Sequence, residues 1–130
     1  WRSIWASLPN TFTDIEGPFT SLALASDAMI TDGVSFIAEY PLVTRKPVIF
    51  WEKPGHWEFS RLGKIAQASA HTVTSINEVT SAIELAREGN LPSKAAEVDA
   101  LIKAVRPSKS SAASSIVSLV IKDFESSRPN

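Results

Sequence analysis

Two short apolar runs, Ala28-Met29-Ile30-Thr31 and Pro47-Val48-Ile49-Phe50, constrain the fold of this chain more than any other feature. Each is too short to be a core helix. Neither alternates apolar with polar residues as a half-exposed strand does. Continuous apolar runs of this length are the mark of strands buried on both faces, which occur in parallel sheets. The apolar residues from 34 to 43 between the runs suit a helix, although Pro41 is expected to disturb or end it. The pattern therefore reads strand, helix, strand. His71-Thr72-Val73 fits a further strand, and Asn10-Thr11-Phe12-Thr13, short and β-prone, fits another.

Helical signals fill the remainder. Trp1, Ile4, Trp5 and Leu8 share one face, stopped by Pro9. After a break at Glu16-Gly17-Pro18, residues 19–25 read as a short helix. Ser75 and Glu78 have capping-box spacing, and Val79, Ile83 and Ala86 continue that face to Gly89-Asn90. Val98, Leu101, Ile102 and Val105 mark a helix ending before Pro107. Ala113, Val117, Val120 and Phe124 mark a last one. Residues 51–63 read as a loop, and residues 66–70 as small and featureless. The expected architecture is α/β: a Rossmann-like three-layer domain with a short parallel sheet of about four strands. A length of 130 residues allows one domain, here residues 1–125 with a frayed tail at 126–130. The chain begins at Trp1, and we read it as a piece of something longer.

Composition narrows the function. Thirteen Lys and Arg against fourteen Asp and Glu leave no basic excess for sequence-independent nucleic-acid binding. There is no Cys, hence no thiolate metal site or thiol nucleophile. With two His and no carboxylates at ligand spacing, no metal site is expected. No Walker A loop, serine-hydrolase elbow or complete Gly-x-Gly-x-x-Gly is present.

The chemistry is expected at the junction after the first apolar run. Ligands of open α/β sheets bind beyond the carboxyl ends of the strands. Thr31, Asp32, Gly33, Val34 and Ser35 lie there, at the start of a helix whose unpaired N–H groups suit a phosphate. Gly33 is expected to allow a tight turn and close ligand approach. Glu39, seven residues after Asp32, has the chemistry to accept hydrogen bonds from a ribose diol. The same spacing also fits a plain junction in which Asp32 caps the helix and Glu39 is only solvated.

Ser26-Asp27, Ile30-Thr31-Asp32, Ser35, Glu39-Tyr40 and Lys46-Pro47-Val48-Ile49-Phe50 together resemble the C-terminal half of the CDP-glycerol glycerophosphotransferases of teichoic-acid synthesis. That family's pattern is S-D-x-x-I-T-D-x-x-S, an acid seven positions after the Asp, then a K/R-P-hydrophobic strand. More loosely, Trp57 to Gly63 is similar to the family's aromatic segment before Arg-Gly, Ser75 to Ile83 to its T-x-E-E-L helix, and Ser108 to Ile121 to its terminal helix. The resemblance implies the nucleotide-donor half of a GT-B transferase. Thr31, Asp32, Gly33, Val34 and Ser35 would hold donor phosphates and Glu39 the ribose. The implied reaction transfers glycerol phosphate, or a similar alditol phosphate, from a CDP-activated donor to a polymer hydroxyl, with no cofactor. Its partners would be that nucleotide-activated donor, a polymer acceptor and a missing N-terminal domain.

The chain departs from the family at Gly33-Val34, where Tyr-Ser or Ser-Ser is common, and at Glu39, where Asp is common. The family's upstream His-Pro element is not in this sequence, so the catalytic group is unassigned and the isolated chain is expected to be inactive. His56 is a candidate for proton transfer or phosphate contact, against a plain loop histidine. His71 reads as structural. Lys53 and Arg61 are possible phosphate contacts, or members of surface ion pairs. The parent would be cytoplasmic, with peripheral association at the inner face of the cell membrane. Two alternatives remain: a UDP-sugar-dependent GT-B glycosyltransferase or epimerase piece, and a degenerate, non-catalytic interaction domain.

Overall fold

The computed structural model describes residues 2–13, 17–106 and 111–126. Its elements run α1 (Arg2–Ser7), α2 (Phe19–Ala25), β1 (Met29–Thr31), α3 (Val34–Thr44), β2 (Val48–Trp51), α4 (Arg61–Ala68), β3 (His71–Val73), α5 (Ile76–Arg87), α6 (Ala95–Val105) and α7 (Ala112–Ser126). The strands form one parallel sheet in the order β1-β2-β3. Met29, Ile30 and Thr31 pair with Val48, Ile49 and Phe50, and Ile49, Phe50 and Trp51 with His71, Thr72 and Val73. This is a mixed α/β architecture compatible with a Rossmann-like fold.

The central strand β2 explains why the second apolar run is uninterrupted. Its successive side chains point to opposite faces, and both faces are covered. Val48 and Phe50 pack with Ala23, Ile37, Tyr40, Ala66, Ala70 and Leu101 from α2, α3, α4, α6 and the turn before β3. Ile49 packs the other way, with Val73, Val79 and Ala82, under α5. Val48, Ile49 and Phe50 are buried, whereas Ile30 on the edge strand β1 is half exposed. The sheet is thus sandwiched between four helices on one side and α5 on the other. Lys46 Nζ, 2.7 Å from the carbonyl oxygens of both Leu24 and Ser26, closes the end of α2 against the start of β2.

Three expectations need correction. Residues 10–13 are not a strand: Asn10 takes the left-handed conformation with φ 60°, and the Thr11 hydroxyl lies within hydrogen-bonding distance of the Trp5 and Leu8 carbonyls at 2.6 and 2.9 Å. The threonine works as a cap for the end of α1, so the sheet has three strands among the described residues. Pro41 does not stop α3, which runs on to Thr44. Proline removes one donor upstream, but its own carbonyl still accepts from Arg45 N–H at 2.9 Å, and Arg45 ends the helix with φ 59°. Residues 61–68, read as loop and featureless, form α4, with the Ser60 hydroxyl accepting from Gly63 N–H.

Of the expected frayed tail at 126–130, Ser126 instead closes α7, and residues 127–130 lie outside the described residues, as do Trp1, Glu16 at the expected break and the stop at Pro107. Helices α1 and α7 leave their large apolar residues largely exposed, including Trp5, Ile116 and Leu119. Among the described residues no helix is long and apolar enough to cross a membrane.

The capping box at α5 is present, with one shift. Ser75 Oγ accepts from Glu78 N–H at 3.3 Å, while the Glu78 carboxylate reaches past Ser75 to accept from Thr74 N–H at 2.7 Å. Those bonds, the one from the Thr74 backbone first, hold the Glu78 carboxyl below the usual glutamate range. Ser75→Ala is expected to cost about 1 kcal/mol of stability, read from urea denaturation midpoints.

His71 opens β3 and is half-buried. Burial first, then the charge of Lys94, lower its pKa from the ordinary 6.5, with Glu97 opposing them. The unfolded chain therefore binds this proton more readily than the folded one. Stability from this group is intact above about pH 6.5 and falls as the pH drops below it, toward the lowered folded value. Melting temperatures of wild type and His71→Gln should diverge in that window, with the variant less sensitive to pH. Parallel curves would show that His71 does not contribute.

Candidate functional site

All three parallel strands end on the same edge of the sheet, and Thr31, Asp32 and Lys53 are among the expected site residues delivered there. Thr31 closes β1, and Asp32 and Gly33 lead into α3. Pairing of Thr31 with Phe50 sets Asp32 level with Trp51, and Lys53 follows two residues later. Glu52 N–H donates to the Val73 carbonyl at 2.9 Å, so β2 stays tethered to β3 one residue beyond its end. Lys53 Nζ then reaches across the edge to the Asp32 carboxylate, forming an ion pair.

That pair organises the site. The hydrogen bond from Lys53, then its charge, hold the Asp32 carboxyl below its usual range. Both side chains are more than half exposed, so solvent screens the pair and its stability contribution is small. Its effect is to position charge rather than to hold the fold. Lys53 lines two cavities: one of about 430 Å³ with Ile30, Thr31, Asp32 and Trp51, and one of about 320 Å³ with Glu52, Pro54, Gly55, His56 and Thr74.

Gly33 behaves differently from expectation. Its φ of −94° is open to any residue, so the turn does not demand glycine. Space does matter: a Cβ there would meet Thr31 Oγ1 at 3.3 Å and the Phe36 ring at 3.4 Å. The Gly33 N–H is already used, donating to Thr31 Oγ1 at 2.9 Å. With Gly33 as N-cap, no side chain caps α3, and Val34 and Ser35 are the first residues of its first turn. Their N–H groups have no partner within the helix.

Ser35 and Glu39 are exposed along α3, and neither they nor Val34 line the two cavities. Arg61, the first residue of α4, is exposed and also outside both. His56 is brought in, although to the second cavity and not to the one beside Asp32.

The second cavity contains two residues that the sequence reading did not single out for it, Glu52 and Thr74. Both immediately follow strand ends, and that position was the available signal. Glu52 accepts from Gln67 Nε2 at 3.1 Å, which anchors it to α4. Phe59 supports His56 by stacking on it, with ring centroids 4.7 Å apart. Gly63 leaves room for Phe59, since a Cβ there would stand 2.9 Å from Cδ1 of that ring.

A larger hollow of about 820 Å³ runs along the open side of β3, beside Lys64, His71 and Lys94. It is the most voluminous cavity described, but it collects none of the residues at the Asp32 junction. No family model, curated protein or solved structure matches the chain.

Proposed function

We propose that the chain is the donor-binding part of a transferase that moves glycerol phosphate, or a similar alditol phosphate, from a CDP-activated donor to a hydroxyl of a cell-wall polymer. The supporting observation is the Asp32–Lys53 pair on the wall of a cavity at the carboxyl edge of the sheet, beside the uncapped start of α3. A carboxylate cannot donate to phosphate, so the role of Asp32 is to hold Lys53 over the cavity. Lys53 and the amides of Val34 and Ser35 then supply positive charge and donors for a diphosphate.

The resemblance of residues 26–50 to the glycerophosphotransferases selects cytidine and the GT-B arrangement. In this reading Glu39 meets the ribose, and Arg61 supplements the phosphate contacts. The donor is already activated, so the reaction calls for no redox cofactor. This half positions the donor and stabilises charge as CMP departs. An upstream domain of a longer parent contributes the polymer acceptor face and the main catalytic histidine. The parent works in the cytoplasm, at the inner face of the membrane.

The test is a titration of this chain with CDP-glycerol, CMP and UDP-GlcNAc, followed by calorimetry. Cytidine-selective binding is expected, lost in Asp32→Ala and in Glu39→Ala. Preference for UDP-GlcNAc would move the reading to a UDP-sugar glycosyltransferase or epimerase. A chain that melts cooperatively yet binds no nucleotide would refute donor binding and favour an interaction domain.

A further inference from the structure

The second cavity at the sheet edge has a chemistry of its own. Apart from Pro54 and Gly55, it is lined by Glu52, Lys53, His56 and Thr74, all polar or charged. His56 is held there by three contacts. It stacks on Phe59 with an interplanar angle of 17°, meets the Phe50 ring edge-on at 6.0 Å, and places Nδ1 2.8 Å from the Trp57 carbonyl oxygen. A carbonyl oxygen only accepts, so Nδ1 carries the proton of that bond. In the neutral ring, Nε2 is then the bare nitrogen, with its lone pair available as an acceptor. Phe50 is fully buried and Phe59 partly so, which fixes the ring from beneath.

Acceptors at Nε2 and the Glu52 carboxylate, with a donor at Lys53 Nζ, are suited to adjacent hydroxyl groups. Lys53 also lines the Asp32 cavity, so it connects a phosphate position on one side to this group on the other. We propose that the Glu52–Lys53–His56–Thr74 cavity is a polyol subsite, in which His56 Nε2 and Glu52 accept hydrogen bonds from hydroxyls of a polyol phosphate. This assignment rests on the donor reading given above for the source of the polyol, though not for the subsite itself. Two sources share the chemistry: the alditol end of the donor, and the terminal unit of a polyol phosphate acceptor.

The experiment is ¹⁵N NMR of the two imidazoles in the whole chain, with His71 as internal control because it lies at the opposite end of the strands. Without ligand, the neutral fraction of the His56 ring is expected as the Nδ1–H tautomer, and the Nε2–H tautomer would overturn the proposal. CDP-glycerol is expected to shift His56 Nε2, while CMP and His71 serve as negative controls. A shift with glycerol phosphate added to the CMP-saturated chain identifies the acceptor unit as the source. A shift with CDP-glycerol alone identifies the donor alditol. No His56 response to either polyol ligand overturns the subsite, even if cytidine binds.

If glycerol phosphate shifts His56 but CMP and CDP-glycerol do not bind, the donor reading fails and the subsite stands. His56→Phe keeps an aromatic ring between Phe50 and Phe59 while removing Nε2. It is expected to weaken CDP-glycerol or glycerol phosphate binding, whichever shifts His56, about tenfold, with CMP affinity and melting temperature kept. Unchanged affinity for both polyol ligands in a folded variant would also overturn the proposal.

Discussion

Replacing Phe50 with alanine is expected to lower the stability of this chain by about 3–5 kcal/mol. Phe50 is fully buried on the central strand. Its ring packs edge-on against Phe59 at 5.9 Å and shares the core with Val48, Ile37, Tyr40 and Leu101. Truncation removes the transfer energy of the ring and leaves a cavity that four helices and a sheet cannot all close. Domains commonly hold only about 5–15 kcal/mol in total, so the loss consumes a large part of the margin. In a urea titration the midpoint should fall steeply with little change in slope. Leu119→Ala on α7 is the contrast: its side chain is 70% exposed, and the expected change is within about 0.5 kcal/mol. Equal losses at the two positions would mean that the core does not sit on β2. A second consequence follows for the site. Phe50 and Phe59 together fix the ring of His56, so a Phe50→Ala chain that still folds should show a mobile imidazole.

Much of this architecture was legible because burial wrote it directly into the chain. The two apolar runs became β1 and β2 within a residue at each end, and in β2, which is covered on both faces, the apolar run is unbroken. Ser75 and Glu78 announced α5 because a helix start must satisfy its own amides locally. Helix α4 was hidden for two reasons. Its segment opens with Arg-Leu-Gly, and glycine in a first turn weakens a helical pattern. The helical spacing of Leu62, Ile65 and Ala66 and the Ser60 cap before them were both visible, but the segment is short and only Ala66 is fully buried. Thr11 and Thr13 misled in the opposite way. Their β-branched side chains suit a strand, but a hydroxyl three residues past a carbonyl can cap a helix end just as well.

The site divides along the same line. Thr31, Asp32 and Gly33 were readable as the exit of a strand, and the structure puts Thr31 and Asp32 on a cavity wall. The partner of Asp32 was not readable. Lys53 is 21 residues away, and only the register of β1 on β2 brings the two together. Register depends on which side chains fill the space between sheet and helices, so it is a property of the packed domain rather than of either segment. His56 was visible as a loop histidine. Its orientation depends on Phe50, Phe59 and the Trp57 carbonyl, contacts that exist only once α4 has docked.

Lys53→Glu should have a large effect on ligand binding at this edge. Lys53 is the cation shared by the two cavities, and the substitution replaces it with a charge of the same sign as a diphosphate. Nucleoside diphosphate affinity is expected to fall at least tenfold, equivalent to about 1.4 kcal/mol or more. The effect should shrink as salt rises, because both side chains of the pair are largely exposed. Stability should barely change, for the same reason. The Asp32 carboxyl supplies an independent readout. It loses the hydrogen bond and the charge that hold its pKa down and gains a like charge nearby, so its titration midpoint should rise. The stability that this carboxylate contributes, present at neutral pH and lost as the pH falls through its lowered folded pKa, should disappear with it. Lys53→Arg keeps the charge and should retain most of the affinity. A Lys53→Glu chain in which Asp32 titrates higher while nucleotide affinity stays intact would separate the ion pair from binding and place the phosphates elsewhere. A chain in which neither moves would mean that Lys53 does not meet Asp32 in solution.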